Sequence, residues 1–348
     1  LIAVIYSHKY LKAELEEGVV KIGSVKFFYS LFSLFVLSMI FVCICNNVVA
    51  MWLGLEATTL STAFLIGFNR SKLSLEAAWK YVIICSIGIG LGLIGIILSI
   101  YSLKVPMTEE ILNWTYLIAN PQHMDPNAAK LAFVFIFIGI GTKAGLAPMH
   151  TWLPDGHSEA PSPISAMMSG VLLNIAMYVV IRFYAVIKLV EGLAKFRYMF
   201  IIFGCLSLLI ASLSILRQNN YKRLLAFSSV ENIGIITLGI GFGGVIGTFG
   251  ALLHTVIHAF GKALLFLISG NILAAYKTKR IDKIQYLIKS MPVTSVFLIL
   301  GILIITGAPP FASFFSELYI LQEGIMQGQY LAVCVYAICL LIAFAAFF

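Results

Sequence analysis

Residues 141–163 read GTKAGLAPMHTWLPDGHSEAPSP, and this stretch decides how the chain is interpreted. It follows an apolar run at 131–140 that is typical of a membrane helix. Lys143 then stands where hydrocarbon is expected, and Pro148 removes a backbone donor, which kinks or breaks a helix. A charge at membrane depth is costly unless it is paired or faces water. The stretch therefore predicts a broken membrane helix that carries a functional lysine.

The composition supports a membrane setting for the whole chain. Of its 348 residues, 61% are hydrophobic and 11% are charged, with a mean hydropathy of +1.00. Soluble proteins carry about 25% charged residues. The apolar runs are long and continuous, which excludes the short alternating strands of a membrane β-barrel. The fold class is therefore predicted to be an all-α polytopic membrane protein.

Ten apolar runs are near or above the length that a membrane crossing requires. They lie at 27–46, 48–68, 79–103, 131–153, 163–187, 198–216, 224–243, 247–275, 292–321 and 330–348. Residues 1–26 are interpreted as the end of a preceding membrane helix followed by a charged loop. The chain shows no signal peptide, and because it starts and stops inside apolar runs, we expect both ends to be cut.

Basic residues are distributed unevenly between the alternate loops. The loops at 9–26, 69–80, 154–162, 217–223 and 276–291 together hold 15 of the 23 Lys and Arg residues, and the opposite loops hold five. Basic loops favour the cytoplasmic side, so the first set is predicted to be cytoplasmic. This distribution explains the net charge of +8 without nucleic-acid binding.

Several residue patterns suggest cofactor or nucleotide sites but are better explained otherwise. The six cysteines lie in apolar spans without a CxxC pair, which predicts packing thiols and neither an iron–sulfur cluster nor zinc. His150, Asp155, His157 and Glu159 stand between Pro-flanked turns and are expected to cap helices or line the cytoplasmic mouth rather than bind a metal. Gly261-Lys262 lacks the rest of a phosphate loop. Gly88, Gly90 and Gly92 are predicted to allow close helix packing.

A small set of charged or titratable residues falls inside the predicted spans. Its members are Glu56, Lys143, Glu231, His254, His258, Lys262 and Glu317. Arg182 also falls inside a span, but it stands near the end, where its side chain is expected to reach the interface.

His254, His258 and Lys262 are spaced i, i+4 and i+8, which places them on one helix face. Such a face must line an internal track, because it cannot point at lipid. Histidine changes charge near neutral pH, and a desolvated lysine can do so as well, which favours reversible proton transfer. The alternative is a static polar network that holds the helices together.

Two helices carry a break beside a buried charge. One is the lysine helix with Pro148, and the other combines Gly307, Pro309 and Pro310 with Glu317. Transporters use paired broken helices from two inverted repeats. Counting five spans to each half predicts one repeat at 27–187 and a second, inverted and truncated repeat at 188–348.

The run from Gly141 to Tyr178 resembles the signature of the antiporter-like proton-conducting subunits of respiratory complex I, Mrp antiporters and membrane-bound NiFe hydrogenases. The likeness continues through residues 221–230, the His254–Lys262 helix and the Pro-Pro segment before Glu317. The sequence of residues 157–163 and 229–231 looks most like that of the hydrogenase-4 component F type. The resemblance implies two inverted five-helix repeats, with the chain running from the end of the third family helix into the thirteenth.

The resemblance also implies roles for particular residues. Glu56 matches the glutamate of the fifth family helix, Lys143 the lysine of the broken seventh, Lys262 a basic residue of the eleventh and Glu317 the charged residue of the broken twelfth. Glu56 is expected to pair with Lys143. Asn174 departs from the pattern, since many members have a lysine there, so the path is expected to cross this gap through water or neighbours such as Glu231 and His254. The expected order is Lys143, Asn174-bound water, His254 and His258, Lys262 and then Glu317.

The function implied by the resemblance is proton translocation in the membrane arm of an energy-converting NiFe hydrogenase or formate hydrogenlyase. A complex I subunit and an Mrp-type Na⁺/H⁺ antiporter subunit are the alternatives, and a purely structural membrane anchor is a third. No cofactor is expected in this chain, and the NiFe centre and iron–sulfur clusters are expected in partner subunits. The expected partners are other membrane-arm subunits, a peripheral hydrogenase or dehydrogenase module, lipid and H⁺ or Na⁺, without nucleic acid, in the inner (cytoplasmic) membrane.

Overall fold

The computed structural model describes residues 1–18, 20–106 and 108–347. Sixteen α-helices are present in these residues. They are α1 Ile2–Glu16, α2 Ile22–Ile44, α3 Val48–Ile66, α4 Lys72–Tyr101, α5 Trp114–Ala119, α6 Pro126–Ala144, α7 Trp152–Glu159, α8 Ser162–Met167, α9 Leu173–Ile187, α10 Arg197–Ile215, α11 Tyr221–Phe242, α12 Val245–Tyr276, α13 Leu287–Ser290, α14 Pro292–Ile305, α15 Ala312–Met326 and α16 Tyr330–Phe347. A π-helical segment, Met168–Leu172, joins α8 to α9.

The prediction of a multi-pass helical membrane protein is confirmed. Nine helical stretches among the described residues are long and apolar enough to cross a membrane. The ninth predicted span, 292–321, is divided into α14 and α15 and does not form one continuous helix. The Gly and Pro residues at 307–310 account for this division, because proline cannot continue the backbone hydrogen-bond ladder.

The loops predicted to share a face do come together. Ion pairs and backbone contacts join them at one end of the bundle: Lys80–Asp155, Arg223–Asp155, Lys279–Glu159, Lys277–Glu17 and a bridge between Asn220 and Arg280. Contacts at the other end include Lys104–Asp125 and the Trp114 indole, which donates to the Arg182 carbonyl. The alternation of loops read from the sequence is therefore correct.

Several predicted boundaries are wrong. Residues 9–16 were expected in a loop but belong to α1, and α4 starts at Lys72, seven residues before the predicted span. Lysine and glutamate are good helix formers, so charge alone does not end a helix. The polar exit after residue 153 is also helical, because α7 extends through Glu159. A short helix, α5, lies in the long loop between α4 and α6.

Glycine packing between α4 and α6 brings these two backbones close. A Cβ added at Gly88 would lie 2.8 Å from the Gly139 carbonyl oxygen, and one at Gly92 would lie 3.1 Å from the Ile140 side chain. The predicted use of Gly88 and Gly92 is confirmed. It is wrong for Gly90, which has no neighbour within 4 Å of an added Cβ. The close approach fixes the end of α6, where Lys143 lies.

Candidate functional site: a row of buried titratable groups

The helix that carries Lys143 breaks directly after it. α6 ends at Ala144, and Gly145 follows in the left-handed region with φ +80°. Side chains satisfy backbone groups around the break: the Trp152 indole donates to the Thr142 carbonyl at 2.9 Å, and Ser207 Oγ accepts from the Ala147 amide at 3.0 Å. Irregular backbone at membrane depth needs such partners. The predicted broken helix is thus confirmed.

Lys143 is fully buried, and hydroxyl groups hold its amine. Its Nζ donates to Thr59 Oγ1 at 2.7 Å and to the Tyr81 hydroxyl at 2.8 Å. The Tyr81 hydroxyl also shares a 2.6 Å hydrogen bond with Thr62 Oγ1. Trp152 packs edge-on against Tyr81, with ring centroids 4.9 Å apart. α3, α4 and α7 therefore build one closed chamber around the amine.

Glu56 does not pair directly with Lys143, so that prediction is wrong. Its Oε1 accepts from Ser86 Oγ at 3.4 Å, and its Oε2 has no hydrogen-bond partner among the described residues. Glu56 precedes Thr59 by three residues on α3, which places the carboxylate about one helical turn from the hydroxyl that binds Lys143. The chamber is lined by hydroxyl groups, and the carboxylate lies beside it.

His254 and His258 form the centre of the row. Both are buried, with 1% of each exposed, as their spacing predicted. His254 contacts α15 through Ser316 Oγ at 2.9 Å and α11 through Asn232 Oδ1 at 3.0 Å. His258 Nδ1 lies 3.3 Å from the Asn174 side-chain oxygen. Three different helices thus meet the histidine face of α12.

Asn174 contacts the histidine face directly. Its amide nitrogen also donates to the carbonyls of Gly170 at 2.9 Å and Thr255 at 3.3 Å. A Cβ added at Gly170 would lie 2.7 Å from the Ala259 carbonyl oxygen, so the π-helical segment packs tightly on α12. Asn174 is therefore hydrogen-bonded to the histidine face, and no hydrogen bond joins it to Lys143 in the described residues.

Lys262 occupies a separate branch of the same helix face. It is fully buried, and its amine donates to the Leu225 carbonyl at 3.0 Å and to Ser228 Oγ of α11. His254, and not Lys262, reaches the helix of Glu317 through Ser316. The order predicted for the path, with Lys262 between the histidines and Glu317, stays a prediction. The spacing of the three residues fixed their common face but not their neighbours.

Glu317 lies at the second break, with 7% of its surface exposed. α14 ends at Ile305, and Gly307 adopts φ +67°. A Cβ at Gly307 would collide with the Glu317 carboxylate, so glycine leaves the space that this carboxylate fills. The Glu317 Oε1 atom is buried and accepts no hydrogen bond among the described residues.

Three polar side chains are buried although the sequence does not mark them as interior residues. His157 is fully buried, its ring stacks on Phe266 with centroids 5.2 Å apart, and neither ring nitrogen has a hydrogen-bond partner in the described chain. Lys222 was counted with the loop residues but is 1% exposed and donates to the Ala160 carbonyl at 2.7 Å. Glu323 accepts from Gln327 at 2.8 Å. No local signal separates Lys222 from its half-buried neighbour Arg223.

The remaining candidates have other surroundings. Asp155 and Glu159 pair with basic side chains at the end of the bundle, and His150 is 8% exposed. Glu231 is buried next to Asn232, the partner of His254. Arg182 donates to the Cys45 carbonyl at 2.8 Å and lies 4.5 Å from the Trp114 ring, at the end of its span as expected.

Comparison with known protein families shows where the chain belongs. Residues 45–343 match the family model described as NADH:quinone oxidoreductase/Mrp antiporter, transmembrane. The chain belongs to this family. The resemblance inferred from the sequence is therefore confirmed, and the antiporter-like subunit fold with it.

Individual relatives extend the match. A hydrogenase-4 component F homolog of Methylacidiphilum infernorum is 36% identical over 332 residues, which are 95% of this chain and 70% of the relative. A chain of the membrane-bound sulfane sulfur reductase, an archaeal respiratory membrane complex, superposes with a TM-score of 0.85 at 26% identity over 91% of this chain and 64% of its own length. A chain of the Mrp complex from Dietzia sp. DQ12-45-1b has a TM-score of 0.83 at 24% identity, with 91% and 58% covered, and supports the fold alone. The chain thus spans under two thirds of both structural relatives.

Proposed function

We propose that this chain is a proton-translocating membrane subunit of a multi-subunit energy-converting complex of the NiFe hydrogenase or formate hydrogenlyase type. The observation that supports it best is the row of buried titratable groups contributed by separate helices: Lys143, His258, His254 and Glu317, with Lys262 on a branch. Each ionisable group buried at membrane depth costs free energy, so a row of them is difficult to explain as packing. The similarity to the hydrogenase-4 component F homolog favours the hydrogenase type.

The proposed route follows the hydrogen bonds and does not follow residue order. Protons move between Lys143 and Asn174 through water, then along His258 and His254, and reach Glu317 past Ser316. Glu56 adjusts the charge of Lys143 from beside the chamber, and Glu231 acts by its charge on Lys262. Lys262 holds or releases a proton next to Ser228 on the branch.

Buried polar atoms without partners support a hydrated route. Among the described residues they include atoms of His157, His258, Ser162, Glu56 and Glu317. Buried polar groups in native proteins are almost always hydrogen-bonded to protein or ordered water. Water bound at these atoms would extend the route towards the basic end of the bundle through His157.

The rest of the assembly follows from the family. We infer two inverted five-helix repeats, at 27–187 and 188–348, because a break stands beside a charge in each half. The relatives belong to multi-subunit complexes, so other membrane-arm subunits and a peripheral redox module are the proposed partners, with the NiFe centre and iron–sulfur clusters in them. The basic end of the bundle is assigned to the cytoplasmic side of the inner membrane.

The decisive experiment compares two lysines of the same helix. Lys143→Met removes the buried amine, whereas Lys130→Met changes an exposed lysine at the other end of α6. The assembled complex is reconstituted in vesicles, supplied with the substrate of its redox module, and assayed for acidification with a pH-sensitive dye. We expect Lys143→Met to abolish proton translocation while Lys130→Met leaves it unchanged. Wild-type translocation by a normally assembled Lys143→Met complex would overturn the proposal.

The alternatives are tested with the same vesicles. A Na⁺/H⁺ antiporter of the Mrp type would show proton movement that depends on Na⁺, and a structural anchor would show none in the wild type. Replacing Na⁺ by K⁺ in the assay is expected to leave proton translocation unchanged. Hydrogen evolution or uptake by the purified complex identifies the host, and NADH oxidation in its place would indicate the complex I alternative.

A further inference from the structure

A groove of about 490 Å³ lies on the outer surface between α2, α3 and α4. Large apolar side chains line it, and each is 46–66% exposed: Phe27, Leu60, Phe64, Leu75 and Trp79. Its upper edge is the turn from Gly67 to Lys72, at the basic end of the bundle. The groove is thus apolar along the membrane helices and ends where the helices reach the interface.

Four basic residues stand beside this groove without an acidic partner. Arg70 lines it, and Lys21, Lys26 and Lys72 each lie within three residues of a lining residue. None of these four forms an ion pair in the described parts of the chain. By contrast, Lys80, two turns further along α4, binds Glu76 at 2.7 Å and Asp155 at 3.1 Å. The positive charge at the groove is therefore available to an external anion.

The backbone of Arg70 forms a tight turn at the edge of the groove. Arg70 adopts φ +51°, in the left-handed region, where glycine or asparagine is the usual residue. Its amide donates to the Gly67 carbonyl at 3.0 Å, which holds the turn in place. An arginine at a position that favours glycine adds a small strain energy to the backbone. The turn places the guanidinium of Arg70 at the interfacial end of the groove.

From this arrangement we infer that the groove binds an anionic phospholipid. The acyl chain packs along Leu60, Phe64 and Trp79, and the phosphate binds Arg70 and Lys72 at the interface. Basic residues near the surface attract anionic lipid by about 1 kcal/mol each, and burial of acyl methylenes adds to this. A helix of a partner subunit could also cover apolar residues, but it would leave the four basic groups without counter-charges. This inference does not depend on the proposed proton route.

The intact complex is first equilibrated in nanodiscs that contain equal amounts of phosphatidylglycerol and phosphatidylcholine. It is then transferred to detergent and delipidated, and native mass spectrometry counts the lipids that it retains. We expect Arg70→Ala/Lys72→Ala to lower the preference for phosphatidylglycerol by about 10-fold or more. Ala78→Phe, which fills the groove from α4, is expected to reduce retention of both lipids there.

The matched control is Arg217→Ala/Lys283→Ala, which removes two basic residues from the same end of the bundle but away from the groove. It should retain the wild-type preference. An equal loss of the phosphatidylglycerol preference in both double variants would show that only the general surface charge matters, and it would overturn the proposed site. Efficient disulfide cross-linking of Trp79→Cys to a neighbouring subunit, with no lipid retained, would assign the groove to a protein partner instead. Assembly of each variant is checked from the mass of the complex.

Discussion

The break after Lys143 and the break before Glu317 are built from similar residues but leave their charged groups in different environments. At the first, the amine has two hydroxyl partners within 2.8 Å, and the residues 143–147 are buried. At the second, one carboxylate oxygen of Glu317 has no partner in the described residues, and Pro309 and Pro310 are exposed. Gly145 and Gly307 both have positive φ.

The difference teaches what each break does with its charge. The hydroxyl groups around Lys143 belong to the protein, so the fold fixes the hydrogen bonds of this amine. The buried Oε1 of Glu317 depends on water or on another chain for a hydrogen bond, since an unpaired buried acceptor costs about 1–3 kcal/mol. We interpret Lys143 as the enclosed station and Glu317 as the exchange point.

The largest expected effect distinguishes two carboxylates on α15. Glu317→Gln keeps the shape but cannot carry a proton, and loss of such a group typically costs about 100-fold or more in proton-transfer rate. Glu323→Gln changes a carboxylate whose Oε1 already accepts from Gln327. We expect proton translocation in vesicles to be lost only in Glu317→Gln. Equal loss in both would mean that α15 tolerates no neutral substitution and would remove the distinction.

Removal of the hydroxyl partners of Lys143 should have the next largest effect. Tyr81→Phe and Thr59→Val each delete one hydrogen bond to the amine, and bonds to a charged group contribute about 1.5–3 kcal/mol. Translocation should slow by about 10-fold in each, with normal assembly. Thr58→Val is the control, because among the described residues the Thr58 hydroxyl bonds only the Leu55 carbonyl of its own helix. A comparable loss in Thr58→Val would show that the effect comes from α3 packing.

Replacing the glycine at either break is expected to make the complex less stable than the wild type. Gly145→Ala and Gly307→Ala place a Cβ at positive φ, which costs about 1–2 kcal/mol. Thermal denaturation of the purified complex should therefore begin at a lower temperature in both. Gly307→Ala should also impair translocation, because its methyl group displaces the Glu317 carboxylate. Gly90→Ala, which has open space, should be neutral, and destabilisation by it would contradict the assignment of strain to the breaks.

The smallest effect is expected at the junction between the two regions. Asn174→Leu removes the 3.3 Å contact with His258, and a neutral hydrogen bond of about 0.5–1.5 kcal/mol predicts roughly a 3- to 10-fold slower translocation. Asn174→Lys supplies a titratable group and should translocate at least as fast as the wild type. Asn271→Leu, on α12 beyond the row, is the control. Slower translocation by Asn174→Lys than by Asn174→Leu would show that the junction needs a neutral amide.

Much of the fold and of the site could be predicted because membrane burial restricts what a sequence can contain. Long apolar runs give the spans, and any charge within them stands out, as Lys143, Lys262 and Glu317 do. The common face of His254, His258 and Lys262 follows from helical periodicity alone. Lys222 and His157 could not be found in this way, because they stand in polar stretches where charge is ordinary.

The sequence by itself determined the membrane class, the alternation of the loops, the two breaks and the family. Only the tertiary structure decided which groups touch: hydroxyls rather than Glu56 around Lys143, Asn174 on His258, and His254 rather than Lys262 towards Glu317. The physical reason is that periodicity and hydropathy are properties of one helix, whereas a hydrogen bond depends on how two helices cross and rotate against each other. No spacing within a single segment contains that information.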